Sequence, residues 1–192
     1  MTIKNDQTYI DKTLAGDTNS FAFLVEKYKV MVYSLAVKML KNKEEAEEVS
    51  QDTFIKAFKN LSKFKGESKF STWLYKIAYR NCLDAIKKNE KKYVTDVIDE
   101  ITENKVRSTE NVLEQITKKE RTDLLKKCLY KLPEQERSIL WMFYFDELSL
   151  KEIKEVTELK ESNIKVTLHR ARKRLVSIIN ENVKSELINY GA

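Results

Sequence analysis

The chemistry this chain could perform begins near its C-terminal end. Ser162, Val166, His169 and Lys173 recur at four, three and four residues, with Asn163, Lys165, Arg170 and Arg172 beside them. On a helical period these side chains share the face opposite an apolar seam of Ile164, Leu168, Ala171, Leu175 and Ile178. Residues 160–174 carry six basic residues against one acid. Lys and Arg can reach phosphates or guanine edges, Asn can read adenine, and Val can touch a thymine methyl. A lone basic helix is more often a solvated face. Here a short capped helix and a polar turn precede it, which is the helix-turn-helix arrangement and shifts the reading toward duplex DNA.

A second constellation lies in the first half. Lys69, Lys76, Arg80 and Lys87 recur at seven, four and seven residues and share one helix face. Trp73 lies on that face, Thr72, Tyr75 and Tyr79 lie beside it, and Phe64 and Phe70 flank the loop before it. Residues 63–92 hold nine bases and three acids. Basic groups follow a phosphate backbone, and exposed aromatics stack on unpaired bases, so this mixture suits separated strands. The competing reading is that aromatics at helical spacing are core, and for part of this set both readings stay open.

A third is acidic. Glu44, Glu45, Glu47 and Glu48 suit a helix N-terminus through the macrodipole. Glu48, Gln51, Asp52 and Ile55 nevertheless share a face turned from the inward Ala46, Val49, Phe54, Ala57, Phe58 and Leu61, and form a candidate protein-docking surface.

The elements that must position these groups are helical. In 192 residues there are only three Gly and one Pro, too few for the turns of a sandwich or barrel. Phe21, Leu24, Val25, Tyr28, Val32, Leu35, Ala36 and Met39 mark one helix over residues 17–40. A second helix is predicted over 43–61 and a third over 70–88. Residues 93–111 lose the period and read as an extended linker, or at most a loop and a short helix. Then Leu124, Leu125, Cys128, Leu129 and Leu132 resume it, and Pro133 starts a helix turned inward by Ile139, Leu140, Phe143 and Tyr144. Ser149 and Glu152 make a capping box for the short helix before the basic one. Two distant cysteines and one histidine exclude a disulfide scaffold and leave no metal cluster. No apolar run reaches a membrane span, and residues 1–10 lack the apolar core of a signal peptide, so a cytoplasmic protein is expected.

These residues together resemble the extracytoplasmic-function (ECF) sigma factors, the small members of the sigma-70 superfamily of bacterial RNA polymerase subunits. The run Glu44-Glu45-Ala46-Glu47-Glu48-Val49-Ser50-Gln51-Asp52-Thr53-Phe54-Ile55 is similar to their polymerase-binding helix. Phe64-Lys65-Gly66-Glu67-Ser68-Lys69-Phe70-Ser71-Thr72-Trp73-Leu74-Tyr75-Lys76 is similar to their promoter-melting segment, continued by Asn81, Leu83 and Asp84. Leu132-Pro133 with Arg137, Leu148-Ser149 with Glu152-Ile153, and Leu168-His169-Arg170-Ala171-Arg172 resemble domain 4. Lys154 stands where the family usually has Ala, Glu158 where it often has Gly, and Val166-Thr167 where Ser-Arg is common.

The resemblance implies an all-α chain of two small helical domains, sigma domain 2 over 1–92 and domain 4 over 118–192, joined by a flexible acidic linker over 93–117. It implies contact with core RNA polymerase, through its beta and beta-prime subunits, by Glu45, Glu48, Gln51, Asp52, Phe54 and Ile55. It assigns recognition and melting of the −10 promoter element to Lys63, Lys65, Lys69, Phe70, Thr72, Trp73, Tyr75, Lys76, Tyr79, Arg80, Asn81, Lys87 and Lys88. It assigns the −35 element to Ser162, Asn163, Lys165, Val166, Thr167, His169, Arg170 and Lys173. Promoter DNA and an anti-sigma factor are the other implied partners; no cofactor, metal or membrane insertion is. In the family the linker threads a channel of the polymerase, which would suit residues 93–114 with six acids and two bases. A stand-alone helix-turn-helix regulator explains the last helix but not the basic aromatic segment. A helical adaptor would predict no effect on DNA. An enzyme is least expected, because His169 lacks an acid-base partner and no phosphate-cradling Gly loop is present.

Overall fold

Gly16 sets the first corner. Its φ of 104° is a backbone state that side chains disfavour. It lets Asp17 N–H reach the Lys12 carbonyl at 3.0 Å while its own N–H reaches Thr13 at 3.1 Å. That pairing closes a helix in the Schellman manner. The helix is α1 (Asp6–Leu14), which the apolar spacing alone does not predict. In a computed structural model, residues 6–93 and 118–190 are described. All their regular elements are helical: α2 (Asn19–Leu40), α3 (Lys43–Lys59), a 3-10 turn (Leu61–Lys63), α4 (Phe70–Tyr93), α5 (Lys118–Tyr130), α6 (Glu134–Tyr144), α7 (Leu150–Thr157) and α8 (Glu161–Tyr190). The linker expected over 93–117 lies outside the described residues apart from Tyr93, the last residue of α4.

The chain divides into two compact units, one built on α1 to α4 together with Lys154–Leu159, the other on α5, α6 and α8. In the first, α2 packs against α1, α3 and α4, and α3 against α4. Leu24, Val32 and Ala36 of α2, Ala46, Thr53 and Ala57 of α3, and Leu74 and Cys82 of α4 are wholly buried. Small side chains on α3 let its neighbours approach closely, which is why that helix contributes few large residues to the core. Lys41 ends α2 in the left-handed conformation, φ 60°, and Asn42 caps α3 by accepting the Glu45 N–H at 3.1 Å. The predicted second helix stops two residues early, at Asn60, which leaves the helical backbone range with φ −108° and whose side-chain amide donates to the Lys56 carbonyl at 2.8 Å. Phe58, predicted inward by the helical spacing, is 41% exposed and meets Phe21 edge to face at 5.1 Å.

In the second unit Leu129, Leu132, Leu140 and Ala171 form the core, with Trp141, Leu175 and Ile178 packed on it. Pro133 sits at the N-cap of α6, where its missing donor costs nothing. The inward face of α6 is Ile139, Leu140 and Met142, and Tyr144, expected inward, is half exposed. Ser149 and Glu152 form the anticipated capping box at the start of α7. Ser149 N–H donates to the Glu152 carboxylate at 2.9 Å and Ser149 Oγ at 2.7 Å, and Glu152 N–H donates back to Oγ at 3.3 Å.

Candidate nucleic-acid and polymerase interfaces

The α7–α8 turn is closed by local bonds. Glu158 takes φ 61°, its N–H reaching the Lys154 carbonyl at 2.8 Å, and Leu159 N–H reaches Thr157 Oγ1 at 3.3 Å. A position where Gly is common is thus filled by a residue that must hold the left-handed state. From there α8 buries Ile164, Leu168 and Ala171 and exposes Ser162, Asn163, Lys165, Val166, His169, Arg170 and Lys173. Thr167 is half buried. Val166 is 48% exposed, so a branched methyl pair faces outward among the polar groups. The basic residues of this helix are not equivalent. The Arg172 guanidinium lies 5.6 Å over the Tyr144 ring, and Arg174 Nε pairs with Glu136 Oε2 at 3.2 Å. Both reach back to α6, while Lys165, Arg170 and Lys173 are exposed along α8.

Arg137 is buried at the start of α6, 5.6 Å from the Tyr130 ring. Burial pushes its guanidinium below the usual arginine range, opposed by the Glu134 carboxylate and Tyr130.

The basic aromatic segment of the first unit forms a pinned loop. Phe64 meets Phe70 at 5.6 Å, edge to face, and Trp73 at 5.4 Å; Phe70 and Trp73 are 5.6 Å apart. Tyr28 of α2 lies 5.7 Å from Phe70. The two ends of loop 64–70 are therefore tied by aromatic contacts, each pair adding about 0.5–1.5 kcal/mol beyond its burial. Between them Lys65, Gly66, Glu67 and Lys69 are exposed, and Gly66 takes φ 71°. Lys63, Arg80, Lys87 and Lys88 are exposed too, and Lys76 and Trp73 are half buried. Phe70, Thr72, Tyr75, Tyr79 and Asn81 are buried. Phe70 belongs to the aromatic cluster, and Asn81 spends both ends of its side-chain amide on α3, accepting from Lys56 at 2.6 Å and donating to Thr53 at 2.9 Å.

On α3, Glu48, Gln51, Asp52 and Ile55 are exposed, Ile55 by 49%, while Glu45 and Phe54 are half buried. Asn89 of α4 donates to both Glu45 carboxylate oxygens, at 2.9 and 3.0 Å. Phe54 lines a groove of about 480 Å³ between α2 and α3 with Val25, Val30, Tyr33, Glu47 and Gln51. The α2 half of that groove was not foreseen. Its signal was available, because Val30 falls off the inward stripe of α2 and is 71% exposed.

These features define a helical protein with two separate polar surfaces suited to nucleic acid and one mixed apolar and acidic face. The sequence matches known families accordingly. Residues 24–92 match sigma-70 region 2, and residues 122–175 match sigma-70 region 4. Over 172 residues the chain is 34% identical to the ECF RNA polymerase sigma factor SigW of Bacillus subtilis, covering 86% of this chain and 92% of the relative. It is 30% identical to the ECF RNA polymerase sigma factor SigM of the same organism, covering 85% and 97%. Two solved structures share the fold. One is CnrH in complex with the cytosolic domain of CnrY, with a TM-score of 0.65 at 20% identity over 92% of this chain and 97% of that one. The other is the sigma factor RpoE of Bartonella quintana with the anti-sigma factor NepR, with a TM-score of 0.64 at 18% identity over 83% and 96%. The chain belongs to the ECF RNA polymerase sigma factors.

Proposed function

We propose that this sigma factor divides its work between the two units. Residues 1–92 act as domain 2, residues 118–192 as domain 4, and the acidic segment between them as the connector. The α3 face of Glu48, Gln51, Asp52 and Ile55, with Glu45 and the groove at Phe54, docks on the beta and beta-prime subunits of core RNA polymerase. The α8 face of Ser162, Asn163, Lys165, Val166, Thr167, His169, Arg170 and Lys173 docks on duplex −35 DNA. There Arg170, Lys165 and Lys173 neutralise phosphates or read guanine, and Val166 favours a thymine methyl.

The observation that carries the −10 assignment is the aromatic tie under loop 64–70. A loop held at both ends can offer a fixed surface to a base leaving the duplex, and fixed surfaces lose little entropy on binding. Lys63, Lys65, Lys69, Lys76, Arg80, Lys87 and Lys88 hold the separated backbone beside it. Thr72, Trp73, Tyr75 and Tyr79 belong to this segment as well. Two weak DNA contacts become one strong one when core polymerase holds both units.

The chain performs no catalysis in this scheme. It acts in the cytoplasm, where the polymerase is; among the described residues no helix is long and apolar enough to cross a membrane. An anti-sigma factor is a further partner, a reading supported by the complexes in which related folds were solved. Run-off transcription with core polymerase tests the proposal. Promoter-specific start sites are expected only when this chain is added, and their absence with active core would reject it.

A further inference from the structure

Two polar ties cross from α3 to α4. Asn89 Nδ2 donates to the Glu45 carboxylate at 2.9 Å, and Asn81 Nδ2 donates to Thr53 Oγ1, also at 2.9 Å. Moving from 45 to 53 on α3 moves from 89 to 81 on α4, so the helices run antiparallel. The ties lie about 12 Å apart at the helical rise. Around Asn81 the bonding forms a directed chain. Lys56 Nζ donates to Asn81 Oδ1 at 2.6 Å, Asn81 Nδ2 donates to Thr53 Oγ1, and Thr53 Oγ1 donates to the Val49 carbonyl at 2.7 Å. The ammonium can only donate and the Val49 carbonyl can only accept, so the orientation of every group between them is fixed.

Asn81 is 7% exposed and Thr53 is wholly buried. Sliding α4 against α3 would strand the Asn81 amide in an apolar core, while Thr53 Oγ1 keeps its bond to the Val49 carbonyl; a stranded amide is costly where no water replaces the lost partner. The neighbours of these residues carry the two proposed surfaces. Asp52 and Ile55 flank Thr53 on the exposed side of α3, and Arg80 adjoins Asn81 on the exposed side of α4.

We infer that Asn81 is a positioning residue, which fixes the register of the strand-opening helix α4 against the polymerase-docking helix α3 through Thr53 and Lys56. It sets where Trp73, Lys76 and Arg80 stand when α3 is seated on the polymerase. The inference rests on the sigma-factor reading above.

Open-complex formation with core polymerase separates this role from direct DNA reading. The wild-type chain, Asn81→Ala, Thr53→Val and Lys56→Met are compared on a duplex promoter and on the same promoter with a premelted bubble. On duplex DNA, Asn81→Ala and Thr53→Val each lower opening about tenfold, the effect of one lost buried hydrogen bond. The double variant is no worse than Asn81→Ala. The premelted template restores all of them. Lys56 is exposed, so Lys56→Met keeps the core intact and still slows opening in the same direction. If Thr53→Val and Lys56→Met open duplex DNA like wild type while Asn81→Ala does not, the inference is overturned. An equal loss on the premelted template overturns it too. A wild-type chain that gives no transcript with active core counts against the sigma-factor reading instead.

Discussion

Arg172 rests its guanidinium 5.6 Å above the ring of Tyr144 and so contacts α6, two residues along α8 from the exposed Arg170. Arg170 and Arg172 are therefore expected to respond differently to substitution. Arg172→Ala should cost the second unit about 0.5–1 kcal/mol, the range of an exposed cation–π pair, with little change in DNA affinity. Arg170→Ala should leave the denaturation midpoint unchanged and lower the salt slope of promoter binding by about 1, as for one lost phosphate contact. Urea titration and salt-dependent binding of the polymerase complex separate the two.

Phe64→Ala removes the contacts to Phe70 and Trp73 that tie the ends of the loop. The loop then has to be ordered during opening. Permanganate reactivity of unpaired −10 thymines should fall by about tenfold, while binding to core polymerase is retained. Unchanged reactivity would remove the loop from the opening step.

Val30 is 71% exposed at the lip of the α2–α3 groove. Val30→Glu buries no charge in the free protein, so its stability should stay within about 0.5 kcal/mol of wild type. Placed in a contact it should weaken binding to core polymerase at least about tenfold, measured by competition with a labelled wild-type chain.

Lys41 holds φ 60° at the end of α2. Lys41→Gly relieves the left-handed strain and should raise the denaturation midpoint by the equivalent of about 0.5–1 kcal/mol.

Asp6 anchors α1 to α2, accepting from Lys27 Nζ at 2.6 Å and from Tyr28 Oη at 2.5 Å. The Lys27 ammonium is held above its ordinary value chiefly by its bond to Asp6, and the Tyr28 hydroxyl chiefly by burial. Both folded-state values are raised, so both contributions are complete below the unfolded values of 10.5 and 10.0. They are lost as pH rises through the folded ones. The wild-type chain should lose stability above about pH 10, and Asp6→Asn should lose less over the same interval. Urea midpoints at neutral and alkaline pH measure the difference.

Local signals made much of this legible. The seam from Ile164 to Ile178 steps by four and three, and it lies inward over those residues because one period governs that stretch of α8. The Ser149–Glu152 capping box was legible for the same reason, since both partners fall within one turn. α1 was not, because what holds it is distant in sequence. Asp6 reaches Tyr28, and Tyr9 stacks on Phe23 at 4.8 Å. Tyr144 has the helical spacing of an inward aromatic, yet Arg172 covers one side of it in place of the core. Asn81 belongs to the segment for which the resemblance implies −10 contact, but its bond to Thr53 reaches another helix, and no helical period connects the two.

The division of labour makes one demand that a stand-alone regulator does not. Footprinting of a −35 and −10 promoter fragment should show weak, salt-sensitive occupancy by this chain alone. Adding core polymerase should produce protection of both elements and opening at −10. Tight, sequence-specific protection by the isolated chain, unchanged when core polymerase is added, would contradict the account.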